Sequence, residues 1–182
     1  MKVISGIYKG RNLEGFTIDG TRPTMDRVKE SLFATIQNYL PSSLVLDLFA
    51  GSGNLGIEAL SEGATKAFLV DKNKQATKII NNNLKNIGIN AAEVLNLDYK
   101  QALSILKENN LQFDIIFLDP PYNTDYIEKS LELITKYDLL KKDGVIVCES
   151  SDLNKIVYDN SLKIKKEKKY GDKYIVLLEK IW

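Results

Sequence analysis

Apolar positions recur along this chain with two different periods. From residue 44 onward, short continuous apolar runs alternate with segments whose apolar residues are spaced as on one face of a helix. Buried strands rich in Val, Ile and Leu that alternate with helices indicate an α/β fold with a parallel sheet covered on both faces. The predicted strands are Leu44–Phe49, Lys66–Asp71, Ala92–Leu97, Phe113–Leu118 and Val145–Glu149, and the predicted helices are Asn54–Glu62, Lys74–Asn86, Lys100–Asn109 and Tyr126–Tyr137.

The two ends of the chain follow other patterns. Residues 1–20 form short extended pieces broken by glycines, and a helix-like apolar spacing then runs from Val28 to Pro41. Near the carboxyl end, Lys163–Lys169 alternates apolar residues with lysine, and Tyr174–Leu178 is strongly apolar. Because a short turn joins these two segments, they are expected to be antiparallel neighbours. The lysines suit either an edge strand protected against aggregation or an RNA-contacting strip.

Composition removes several kinds of chemistry. The chain has no histidine, which excludes Ser-His-Asp and Cys-His nucleophile systems and argues against a metal site. Its one cysteine, Cys148, lies in an apolar strand and is expected to be a buried hydrophobe, as in a reducing cytoplasm. No apolar run approaches the ~20 residues that span a bilayer, and the amino end lacks a signal-peptide pattern. We therefore expect a cytoplasmic protein without membrane or metal.

Positive charge is distributed unevenly, although the net charge is only +1. All three arginines, Arg11, Arg22 and Arg27, fall in the first 27 residues, and Lys9 lies among them. Arginine binds phosphate in a bidentate way, so these four residues are candidate RNA contacts. Chance placement with surface ion pairs is the alternative, and Arg22 and Arg27 could instead meet a cofactor carboxylate or Glu30.

A glycine-rich turn joins the first predicted strand to the next helix. Gly51 and Gly53 allow the backbone to approach a ligand closely, and the helix end offers free N–H groups. Asp71 ends the next strand, where a carboxylate can accept hydrogen bonds from both hydroxyls of a ribose. With Gly56 these residues also match the dinucleotide-binding fingerprint, so this motif is compatible with NAD as well as with S-adenosylmethionine.

Two further acids favour S-adenosylmethionine. Asp47 lies within the first strand, where its charge could meet the positively charged amino end of that ligand but would be unfavourable beside a pyrophosphate. Asp98 follows the third strand, where an adenine amino group would lie.

The fourth strand ends in Asp119-Pro120-Pro121-Tyr122. Two prolines make the exit from the strand rigid, at the sheet edge where open α/β folds bind ligands. Asp119 and the Pro120 carbonyl could accept both hydrogens of an aromatic amine and stabilise the charge that develops on it. Tyr122 could stack on a base turned out of its surroundings. The turn therefore indicates methylation of an exocyclic amine.

The Asp-Pro-Pro-Tyr turn resembles the signature of enzymes that methylate amino groups of nucleobases, and its spacing from the glycine turn is similar to that of Rossmann-like methyltransferases. Residues 4–13 and 22–33, the latter beginning Arg22-Pro23-Thr24, resemble the bacterial 16S rRNA guanine-N2 methyltransferase family called RsmD. That resemblance implies methylation of the guanine conventionally numbered 966, on an assembled or nearly assembled small ribosomal subunit.

The resemblance also implies a fold and a set of roles. It implies a seven-stranded, mostly parallel sheet with an antiparallel last strand, in a single domain of residues 1–182. Residues 1–40 would be an N-terminal hairpin and helix, residues 41–182 the Rossmann-like core, and the protein a monomer. The implied cofactor contacts are Asp47, Gly51, Gly53, Asp71 and Asp98, and the implied catalytic residues are Asp119, Pro120, Pro121 and Tyr122.

Three alternatives stay open from the residues themselves. An adenine-N6 methyltransferase would use the same turn, although the chain has no separate recognition domain for DNA. An NAD-dependent oxidoreductase would leave the Asp-Pro-Pro-Tyr turn unexplained. A non-catalytic RNA-binding protein with this fold would have no need of an intact Asp119 and Tyr122.

Overall fold

The computed structural model describes residues 1–17 and 26–181, and strands and helices alternate through most of them. The helices are α1 (Asp26–Ile36), α2 (Asn54–Ser61), α3 (Lys74–Ile87), α4 (Tyr99–Glu108) and α5 (Tyr126–Lys136). The strands are β1 (Leu44–Asp47), β2 (Lys66–Val70), β3 (Ala92–Leu95), β4 (Phe113–Leu118), β5 (Leu140–Ser150), β6 (Leu162–Tyr170) and β7 (Lys173–Lys180). Short 3-10 turns at Gln37–Tyr39 and Leu153–Lys155 complete the set for the described residues.

The strands form one sheet in the order β3-β2-β1-β4-β5-β7-β6. The first five strands are parallel, and β7 runs antiparallel to both β5 and β6. The predicted seven-stranded, mostly parallel sheet with an antiparallel last strand is therefore confirmed. β6 is the edge strand of this end of the sheet, and its lysines are exposed, which agrees with the edge-strand interpretation, while RNA contact by these lysines stays a prediction.

Helices cover both faces of the sheet because successive strand residues point to opposite sides. Val45 of β1 packs in a core with α1, α2 and α3, whereas its neighbour Leu46 packs in a second core with α4 and α5. Cys148 lies in the second core, where burial raises the pKa of its thiol, in agreement with a buried hydrophobe.

The amino-terminal segment forms the small hairpin that the sequence predicted. Backbone hydrogen bonds join Val3 N to Arg11 O (2.9 Å) and Leu13 N to Met1 O (2.9 Å). The turn at its tip lies against the carboxyl end of α2, where Ile7 N donates to Ser61 O. Gly6 is required there, because a Cβ atom would lie 1.9 Å from that carbonyl oxygen.

The largest difference between predicted and observed elements is at β5, which begins at Leu140 rather than Val145. Leu140 pairs with Phe113, and the register then shifts before Val145 pairs with Ile115. Three exposed polar residues, Lys141, Lys142 and Asp143, occupy this first part of the strand, so no apolar run marks it. Among residues 1–17 and 26–181, no helix has both the length and the apolar character that crossing a bilayer requires.

Candidate active site

A pocket lies at the carboxyl edge of the sheet, above β1, β2 and β4. Its walls are the turn from Asp47 to Leu55, the end of β2 at Asp71, the β3–α4 connection at Asp98 and the motif 119–122. Parallel strands bring these segments to one edge although they are far apart in sequence. The structure therefore brings the predicted catalytic residues and the predicted cofactor residues, with the exception of Gly53, to the lining of one pocket.

The glycine turn has the backbone conformation that its sequence suggests. Gly51 and Gly53 have φ values of +57° and +85°, in the left-handed region that favours glycine. Asn54 and Leu55, the first residues of α2, line the pocket, so the amino end of this helix faces it. Gly56 serves packing, since a Cβ atom there would lie 2.0 Å from Leu69 Cδ2 of β2.

Asp71 stabilises the glycine turn through hydrogen bonds to the backbone. Its Oδ2 atom accepts from Gly51 N (3.0 Å), and its Oδ1 atom accepts from Asn73 N (2.9 Å). Burial raises the pKa of this carboxyl. A carboxylate oxygen can accept more than one hydrogen bond, so Asp71 can shape the turn and still meet a ribose hydroxyl.

Asp47 is the last residue of β1 and is 1% exposed. Its Oδ2 atom accepts from Gly56 N (3.1 Å), whereas Oδ1 has no hydrogen-bond partner among the described residues. Burial raises the pKa of Asp47 to about 7. A buried acceptor without a partner is costly, and a positively charged amino group in the pocket would relieve that cost. The residues present therefore fit the amino-acid end of S-adenosylmethionine.

The far side of the pocket is aromatic. Phe49 lies 5.4 Å from Tyr99 and 5.9 Å from Tyr126 between ring centroids, and its ring is stacked on that of Tyr126. Asp98 is next to them and caps α4 by accepting from Lys100 N (2.9 Å). Flat apolar walls beside a carboxylate suit an adenine ring. The sequence did not single out Phe49, Tyr99 or Tyr126, because aromatic residues at strand ends and helix starts are common in cores.

The Asp-Pro-Pro-Tyr turn opens into the same pocket, and charged residues lie behind it. Burial and the neighbouring carboxylate of Glu149 raise the pKa of Asp119 well above its usual value, while the charge of Lys173 opposes this shift. Lys173 Nζ lies 2.6 Å from Glu149 Oε1 and 5.7 Å from the centroid of the Tyr122 ring. The charges of the Lys173–Glu149 ion pair therefore act on both Asp119 and Tyr122.

Sequence reasoning missed Glu149 and Lys173. Glu149 is the second-last residue of β5, and Lys173 begins β7, so antiparallel pairing of these strands brings them together. They are 5% and 8% exposed. A glutamate at the end of an apolar strand was a weak signal, and a lysine after a turn gave none.

The candidate RNA contacts lie on the amino-terminal segment and α1. Lys9, Arg11 and Arg27 are exposed. The Arg11 guanidinium donates to Asn86 O near the end of α3 (2.6 Å), so the hairpin holds this side chain against the core. Arg22 lies outside the described residues. None of these geometries tests RNA binding, which stays a prediction.

Comparison with known proteins shows that nearly the whole chain matches one protein family. The sequence profile of the family described as conserved hypothetical protein 95 matches residues 1–179. YlbH of Bacillus subtilis is 44% identical over 150 residues, which is 82% of this chain and 82% of that protein. Ribosomal RNA small subunit methyltransferase D of Haemophilus influenzae is 35% identical over 175 residues, covering 94% of this chain and 89% of that protein.

The fold is similar to that of a solved structure over nearly its full length. The structure of yhhF from Escherichia coli aligns with a TM-score of 0.87 and 27% sequence identity, covering 99% of this chain and 97% of that one. The similarity includes residues on both sides of the pocket and the amino-terminal hairpin.

Proposed function

The chain belongs to the RsmD-like family of methyltransferases, and we propose that it methylates the exocyclic N2 amine of a guanine in 16S rRNA. The methyl donor is S-adenosylmethionine. One observation carries the proposal: the Asp119–Tyr122 turn and the glycine turn with Asp47 and Asp71 line one pocket. The proposal places the methyl donor against the glycine turn and the target base against the Asp119–Tyr122 turn.

The chemical difficulty lies in the amine, whose lone pair is delocalised into the base. S-adenosylmethionine supplies an electrophilic methyl group, and its sulfur leaves with the bonding electrons. Asp119 and the Pro120 carbonyl accept hydrogen bonds from the two N–H groups of the amine and favour a tetrahedral nitrogen. The nitrogen lone pair is then free to form the new N–C bond. Tyr122 stacks on the base and keeps the nitrogen in line with the methyl carbon.

Methylation leaves the nitrogen with one proton too many. Burial and Glu149 raise the pKa of Asp119, which makes its carboxylate a better proton acceptor. Asp119 takes the proton and becomes neutral, which leaves Lys173 paired with the one remaining charged carboxylate, Glu149. These residues account for the transfer without a metal ion or a histidine.

The proposal extends to the substrate and the form of the protein. The target is the guanine conventionally numbered 966, presented on an assembled or nearly assembled small ribosomal subunit. Residues 1–182 act as a single methyltransferase domain in a cytoplasmic monomer, with residues 1–40 as the N-terminal hairpin and helix. Lys9, Arg11, Arg22 and Arg27 contact the RNA.

One experiment separates this function from its alternatives. Small subunits from a strain that lacks the enzyme are incubated with the protein and S-adenosyl[methyl-³H]methionine, and the rRNA is digested to nucleosides. We expect tritium in N2-methylguanosine. Tritium in N6-methyladenosine would instead establish the adenine enzyme, which uses the same kind of turn. Calorimetric binding of NAD in place of S-adenosylmethionine would overturn both proposals.

A further inference from the structure

A second buried polar atom in the pocket wall, besides Asp47 Oδ1, forms no hydrogen bond with any residue that the structure describes. Asn54, the first residue of α2, lines the pocket and is 6% exposed. Its Nδ2 atom has no hydrogen-bond partner within the described parts of the chain. A buried donor that stays unpaired costs about 1–3 kcal/mol, so this amide marks a place where a ligand acceptor would be favourable.

Lys29 determines which end of the Asn54 amide faces it. Its Nζ atom lies 2.6 Å from Asn54 Oδ1. An ammonium group donates hydrogen bonds and accepts none, so the atom that meets it must be the amide oxygen. The amide is therefore held with Nδ2, the donor, directed away from Lys29.

Lys29 is itself held firmly. It is fully buried, and its Nζ atom lies 3.0 Å from Glu58 Oε1 and 2.7 Å from the carbonyl oxygen of Lys2. Glu58 also accepts from the backbone N–H groups of Ile4 and Ser5. Burying such an ion pair is costly and contributes little stability, so a role in fixing the pocket wall explains its presence better.

The unpaired donor of Asn54 and the unpaired acceptor of Asp47 are two adjacent features of one wall. Asp47 Oδ2 accepts from Gly56 N, two residues beyond Asn54 in the first turn of α2. A donor and a negatively charged acceptor together match a free α-amino acid group, which carries a carboxylate and an ammonium group. The amino end of α2 adds its positive dipole on the carboxylate side.

We propose that Asn54 Nδ2 donates a hydrogen bond to the methionyl carboxylate of the cofactor, with Lys29 as the positioning residue that orients the amide. Asp47 accepts from the ammonium group of the same ligand. This inference rests on S-adenosylmethionine as the cofactor and adds the residue that binds its carboxylate.

Isothermal titration calorimetry with two product-like ligands tests the assignment. S-adenosylhomocysteine carries the amino acid group, and 5′-methylthioadenosine lacks it. Hydrogen bonds to charged groups contribute about 1.5–3 kcal/mol, so Asn54→Ala should weaken S-adenosylhomocysteine about 10- to 100-fold. Its affinity for 5′-methylthioadenosine should change less than about twofold, because that ligand never reaches Asn54.

Two further variants sharpen the result. Asn54→Asp keeps an acceptor for Lys29 but replaces the donor with a negative charge, so it should weaken S-adenosylhomocysteine more than Asn54→Ala does. Ser130→Ala is the matched control, since Ser130 Oγ is also buried without a hydrogen-bond partner among residues 1–17 and 26–181 but lies on α5, outside the pocket. It should bind both ligands as the unchanged protein does.

The role of Lys29 is tested by removing its ion pair as a whole. Lys29→Met combined with Glu58→Gln leaves no unpaired buried charge, and the Asn54 amide then loses its fixed orientation. We expect an affinity loss of about threefold to tenfold for S-adenosylhomocysteine and none for 5′-methylthioadenosine. A purely structural role would weaken both ligands together.

The outcomes separate this inference from the proposed cofactor. If the unchanged protein binds S-adenosylhomocysteine and Asn54→Ala binds it equally well, Asn54 is not the carboxylate contact, while the cofactor stands. Equal losses for both ligands in Asn54→Ala would also overturn the assignment. If the unchanged protein binds neither ligand, the cofactor and this inference are both wrong. Melting curves without ligand verify that each variant is folded.

Discussion

At the scale of single residues, the pocket gathers acids whose ionisation the fold makes costly. Burial raises the pKa of Asp47 to about 7 and also raises the pKa of Asp71. Around Asp119, burial and Glu149 both raise the pKa of the carboxyl group. Burial removes water from the carboxyl group of Asp47, and its Oδ1 atom has no hydrogen-bond partner among the described residues, whereas the charge of Lys173 partly offsets the shift at Asp119. A positively charged ligand beside Asp47 would favour the ionised form of this acid, so ligand binding and proton release are linked.

Cofactor affinity should therefore depend on pH. The free protein holds Asp47 with a pKa of about 7, whereas the bound ammonium group requires the ionised form. Below pH 7, binding must expel a proton, so affinity should fall at most about tenfold per pH unit from pH 7 to pH 6. Above pH 8 it should level off. Calorimetry with S-adenosylhomocysteine in buffers of different ionisation enthalpy measures both the affinity and the released proton.

The same raised pKa affects the stability of the free protein. The pKa of an aspartate in the unfolded chain is near its ordinary value of 3.8, below the folded value, so the unfolded state releases this proton first. Asp47 therefore disfavours folding increasingly as pH rises from about 4 to 7.

Asp47→Asn should abolish the pH dependence of binding between pH 6 and 8. An unchanged pH profile in that variant would show that another group titrates.

Asp119 should matter for transfer far more than for cofactor binding. Its hydrogen bond to the amine strengthens as charge develops, so Asp119→Ala should lower methyl transfer by a factor on the order of 10²–10³. The Kd of S-adenosylhomocysteine should change little. Asp119→Asn should retain part of the activity, because its carbonyl oxygen still accepts a hydrogen bond. Near-normal turnover of Asp119→Ala on small subunits would contradict the proposed chemistry.

At the scale of secondary-structure elements, the sequence predicted the strands and helices from residue 44 to residue 136 to within a few residues. Continuous apolar runs indicate the strands, and glycines indicate where helices end, so both can be recognised from short stretches of sequence. The buried ion pairs Lys29–Glu58 and Lys173–Glu149 join elements far apart in the chain, so no local pattern shows that they meet. One local feature does indicate that Lys29 is buried, because it lies on the same face of α1 as Leu32, Phe33 and Ile36.

The packing of α2 on β2 gives a prediction at this scale. A methyl group added at position 56 would lie 2.0 Å from Leu69 Cδ2, which forces the helix or the leucine to move. Gly56→Ala should destabilise the fold by about 1–3 kcal/mol, as overpacked cores do. Chemical denaturation measures this loss.

A matched control separates overpacking from the general effect of placing alanine in a helix. Asn82→Ala adds alanine at an exposed position of α3 and should leave stability within about 0.5 kcal/mol. Equal midpoints for Gly56→Ala and the unchanged protein would show that α2 does not pack as closely as the structure has it.

At the scale of the whole molecule, the amino-terminal hairpin runs along α2 from the pocket to the opposite end of the helix. Met1 and Phe16 line the pocket, whereas the turn at residues 6–10 reaches Ser61. Eight residues of helix rise about 12 Å. The cations near the tip of the hairpin therefore lie away from the pocket, so under the proposed function they would contact RNA that continues beyond the target base.

Removing two of these cations should weaken RNA binding selectively. Lys9→Ala with Arg11→Ala should reduce affinity for small subunits and make its salt dependence shallower by about one to two units in the slope of log K against log salt, because fewer counterions are released. Lys107→Ala with Lys136→Ala is the matched control, since it removes two exposed charges from the helices on the other face of the sheet. Filter binding across a salt titration compares them, and calorimetry confirms that cofactor affinity is unchanged. If the two double variants bind alike, the hairpin does not hold the RNA, and the exposed lysines of β6 become the next surface to change.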